Sequence, residues 1–71
     1  MKAAELRSLS DGELQTKLDE IYEEMMNLRF NMSIGQQRDV TRLTELKRDV
    51  ARIKTILRER QIARQLAAEA R

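Results

Sequence analysis

The sequence contains no cysteine, histidine, proline or tryptophan, and only two glycines, one tyrosine and one phenylalanine. Each absence excludes something. Without Cys or His there is no disulfide, thiolate nucleophile, imidazole base or usual zinc-ligand set. The chain therefore does not read as an enzyme, and no catalytic site, metal or cofactor is expected. With Gly12 and Gly35 as the only glycines and no proline, little interrupts a helix. No stretch approaches the roughly 20 apolar residues of a membrane span, and the N-terminus lacks the apolar run of a secretory signal. A soluble, intracellular protein is the expectation.

What the sequence does have is charge. Of its 71 residues 37% are charged and 41% hydrophobic, a composition suited to helices and to one small domain that leans on regular packing or on a partner. The net charge of +2 conceals an asymmetry. Met1 to Gln37 holds four basic and seven acidic residues, whereas Arg38 to Arg71 holds ten and five. So polarised a chain can turn a positive surface toward a polyanion.

The apolar residues set the organisation. Over residues 1–9, Leu6 and Leu9 share one face of a short docking segment. Ser10 followed by Glu13 forms a capping-box pattern, which predicts a long helix over 10–34. Its seam is Leu14, Leu18, Ile21, Met25, Leu28 and Met32, at alternating spacings of 4 and 3. Gly35 supplies the stop, within a turn over 35–38. A second helix over 39–65 begins at a cap on Asp39 or Thr41 and carries the stripe Val40, Leu43, Leu46, Val50, Ile53 and Leu57. The tail, 66–71, either extends that helix or frays. Two heptad-patterned helices joined by so short a link must lie antiparallel. The fold class is thus all-α: an antiparallel two-helix hairpin with a short N-terminal helical segment. Tyr22, Met26, Phe30 and Ile56 are expected beside the seams.

The strongest local feature is the run KRDVARIKTILRER from Lys47 to Arg60. At about 100° per residue, Lys47, Arg48, Arg52, Lys54 and Arg58 spread around the face away from the stripe. Glu59 is the only acid near that arc, and Glu45 and Asp49 lie toward another edge. Phosphate contact needs little more than cations held at such spacing, and arginine adds a planar fork for two hydrogen bonds. The plainer alternative is a solvated face laced with ion pairs. A second alternative is a coiled-coil protein-interaction module that binds no RNA, its seams closing between chains. With no interleaved aromatics, backbone contact to structured nucleic acid is favoured over base stacking.

The opening KAAELRSLS, the NLRF of Asn27 to Phe30, the GQ of Gly35 and Gln36 and above all KRDVARIKTILRER, in this order, resemble the bacterial-type large-subunit ribosomal protein L-twenty-nine family over about Met1 to Arg60. The resemblance implies a structural constituent of the cytoplasmic ribosome's large subunit. It implies binding to large-subunit ribosomal RNA near the exit of the peptide tunnel, beside ribosomal protein L-twenty-three and within reach of nascent-chain factors. It places the RNA contacts on Lys47, Arg48, Arg52, Lys54, Arg58 and Arg60, with Arg29 and Gln36 as further ones.

Overall fold

The computed structural model describes residues 2–35 and 39–70. They form three helices, α1 (Ala3–Arg7), α2 (Asp11–Ser33) and α3 (Val40–Glu69), with no strand among the described residues. The turn expected over 35–38 is described at Gly35 alone. Gln36 lies outside the described residues, as do 37 and 38.

Local chemistry explains the helix ends. The amide of Glu13 donates to Ser10 Oγ at 3.2 Å, and the amide of Ser10 donates to Glu13 Oε1 at 3.4 Å. This is the reciprocal capping box, with Asp11 and Glu13 adding negative charge where the helix dipole is positive. α2 stops where Gly35 takes φ 77°, a left-handed conformation that side chains with a Cβ resist. Of the two candidate caps for α3, Asp39 serves, its side chain accepting from the Arg42 amide at 2.9 Å. α3 then continues through the tail as far as Glu69.

The α2 seam is buried as spaced: Leu14, Leu18, Ile21, Met25 and Leu28 are in the core, and Met32 packs partly buried against it. On α3 the buried line differs from the expected stripe. Val40 is 61% exposed, whereas Ile56, expected beside the seam, is only 3% exposed, and Asp49 is buried with Leu46 and Ile53. Leu43, Val50 and Leu57 are half-buried at one margin. The cause is α1. Five residues are far below the roughly 12 that an isolated helix needs in water, so α1 is held by packing on α3, where Leu6 is 1% exposed. With helices on two sides, α3 buries a wider stripe, rotated toward Ile56. Tyr22, Met26 and Phe30 remain outside the core. The molecule is a rod of 56 × 19 × 16 Å, and its apolar seams close within one chain.

Candidate nucleic-acid interface

α3 sorts its cations by position around the helix. Arg42, Arg60 and Arg64 stand in line with the buried stripe but beyond its apolar ends, and each meets a carboxylate of α2: Glu24 for Arg42, and Asp11 in the first turn for the other two. At the turn end, Arg42 grips Glu24 with two hydrogen bonds, Nε to Oε1 at 2.9 Å and Nη2 to Oε2 at 3.1 Å, and lies 3.4 Å from Glu45. Hydrogen bonding to Glu24 raises the Arg42 pKa above its ordinary value.

At the opposite end Asp11 receives two guanidinium groups. Arg60 Nη1 donates to Asp11 Oδ1 at 2.8 Å, Arg64 donates to Oδ2, and the other Arg60 terminal nitrogen donates to the Arg7 carbonyl at 3.1 Å. Arg60 of α3 thereby joins all three helices. The hydrogen bonds from Arg60, then Arg64, hold the Asp11 carboxyl below the usual carboxylate range. Arg7 also pairs with Glu59 at 3.7 Å.

Between these ends the cations divide onto two flanks of the buried stripe. Arg48 and Arg52 lie on the flank that adjoins α1. There Arg52 pairs with the buried Asp49 at 3.2 Å, and Arg48 shares a shallow depression with Arg42, Glu45, Asp49 and Arg52. Lys47, Lys54 and Arg58 lie on the other flank. Lys54 Nζ sits 5.6 Å from the Tyr22 ring centroid in a cation–π contact, and Arg58 donates to Gln61 Oε1 at 3.1 Å. Among the described residues no carboxylate pairs with Lys47, Lys54 or Arg58. Arg29 is exposed on α2. Of the residues marked by sequence, the structure thus brings Lys47, Lys54 and Arg58 together, sets Arg48 and Arg52 apart from them, and engages Arg60 internally. Gln36 is not described.

Sequence reasoning missed Tyr22 as a partner of Lys54 and missed the Asp11 clamp. Both were findable by aligning the two seams in antiparallel order, which sets the first turn of α2 beside Arg60. Among the described residues no cluster of carboxylates could hold a metal ion, and no helix is long and apolar enough to cross a membrane.

The family model described as "Ribosomal L29 protein" matches residues 4–60. The chain is 52% identical over 65 residues to the "Large ribosomal subunit protein uL29" of Carboxydothermus hydrogenoformans, covering 92% of this chain and 94% of that protein. It is 50% identical over 62 residues to the protein of the same name from Natranaerobius thermophilus, covering 87% and 95%. For that from Thermosipho melanesiensis the figures are 52% over 62 residues, 87% and 94%.

Proposed function

This chain belongs to the ribosomal L29 protein family, and from that premise we propose that it is a structural constituent of the large ribosomal subunit that binds ribosomal RNA through cations on α3. The observation that carries the reading is the set of α3 cations without a described carboxylate partner, held at fixed spacing on a helix whose other side is anchored by Leu46, Ile53 and Ile56. A stiff row of cations loses little side-chain-bearing backbone freedom on binding, so phosphate contact is not offset by the cost of ordering the helix.

The contacts are drawn from the α3 cations Lys47, Arg48, Arg52, Lys54 and Arg58, with Arg29 and Gln36 as additional candidates. Arg60 contributes by clamping α3 to α1 and α2. In the same reading the protein lies at the subunit surface near the peptide exit, beside ribosomal protein L-twenty-three and within reach of nascent-chain factors. The family resemblance supports that position, and the exposed row Met26, Phe30 and Ile34 offers apolar surface to a protein neighbour. The rival coiled-coil module is disfavoured because both seams are already covered within the chain.

Binding to phosphates releases counterions, so affinity for large-subunit RNA fragments should fall linearly on a log–log plot against salt. A filter-binding titration over a salt series measures this. Affinity indifferent to salt would refute phosphate contact as the basis of binding.

A further inference from the structure

We propose that a single flank of the hairpin is the phosphate-binding face, formed by Lys47, Lys54 and Arg58 of α3 together with Arg29 and Tyr22 of α2, and that the Arg48–Arg52 flank is not. The proposal rests on the reading that the chain binds ribosomal RNA, and it names which side does so.

The register carries it. Lys54 Nζ lies over the Tyr22 ring, which places these two residues on the same flank of the antiparallel helices. One heptad further along α2 is Arg29, and one heptad back along α3 is Lys47. Both steps run in the same direction along the rod and cover about 10 Å, so Arg29 and Lys47 fall on the same flank. Both are exposed, and neither has a carboxylate partner among the described residues. Like charges facing each other across two helices destabilise the pair. An external polyanion converts that cost into attraction.

The other cations of α3, Arg48 apart, are already matched. Arg52 pairs with Asp49, Arg42 with Glu24 and Glu45, Arg60 and Arg64 with Asp11. Arg48 stands in a depression lined by Glu45 and Asp49, and α1 lies along that flank with its own Arg7–Glu59 pair. Phosphates approaching there would meet carboxylates. On the proposed flank they meet Lys47, Lys54 and Arg58 of α3 and Arg29 of α2, plus a Tyr22 hydroxyl able to donate to a phosphate or a ribose 2′-OH. The ring of Tyr22, with Lys54 above it, positions the ammonium rather than stacking a base.

The test is a salt-series binding titration on large-subunit RNA fragments with full-length variants, each checked for helicity by circular dichroism. Replacing Lys47, Lys54 and Arg58 by Gln should reduce the salt slope by about 2 to 3, near 0.7 to 0.9 per lost contact. Replacing Arg48 and Arg52 by Gln should leave the slope as it is. Arg48→Gln alone serves if loss of the Asp49 partner unfolds the double variant. Tyr22→Phe, which keeps the ring under Lys54, should weaken binding about 2- to 10-fold without changing the slope. A slope lost on the Arg48–Arg52 flank and kept on the other overturns the proposal while the RNA reading stands, and equal losses on both overturn the one-sided face. If both variants bind as the parent does, the RNA reading fails with it.

Discussion

Ile56→Val is the sharpest probe of how this hairpin is packed. Ile56 is 3% exposed on the side of α3 that α1 covers, beside Ala3 and Arg7. Removing one methylene from so buried a side chain forfeits about 0.8 kcal/mol of transfer free energy. Incomplete collapse around the gap brings the loss to about 0.5 to 1.5 kcal/mol. For a domain of this size each kcal/mol lowers Tm by about 4 to 8 °C, so the variant should melt about 2 to 12 °C below the parent. Val40→Ala is the matched control. Val40 is 61% exposed, surface changes of this kind stay within about 0.5 kcal/mol, and alanine is the better helix former. Thermal melts followed at 222 nm compare the two. Were Val40→Ala to cost as much as Ile56→Val, the buried line would run along the heptad stripe, and the account of α1 widening the core would be wrong.

Two further outcomes follow from the caps and the clamp. Ser10→Ala removes the hydroxyl that receives the Glu13 amide and should lower unfolding free energy by about 1 kcal/mol in a denaturant titration. Because the Asp11 pKa is lowered in the folded state by Arg60 and Arg64, its contribution is present above the ordinary carboxylate value of 3.8 and is lost as pH falls through the depressed one. Melting temperature should therefore drop on acidification below about pH 4, with other carboxylates contributing. Asp11→Asn should show a shallower drop, and a parallel pair of profiles would refute the clamp.

Much of this fold is local and so was legible along the chain. The Ser10–Glu13 box and the left-handed Gly35 depend on neighbours within a few residues, and the α3 cap was narrowed to Asp39 or Thr41, of which Asp39 serves. The α2 seam needed only one partner and was buried as its spacing implied. The cationic run of α3 was equally visible as composition, though not its division into paired and unpaired groups.

Sequence alone determined the two long helices, the capping box of the first, their antiparallel order and the positive character of the second, because period, turn chemistry and charge count are properties of short windows. Only the tertiary structure decided that α1 would rotate the buried face of α3 toward Ile56. It also decided that Asp11 would bind Arg60 and Arg64 from 49 and 53 positions away, and that Lys54 would come to rest on Tyr22. Those contacts depend on the register between helices, which is set by how all three apolar faces fit at once, and no one segment contains that information.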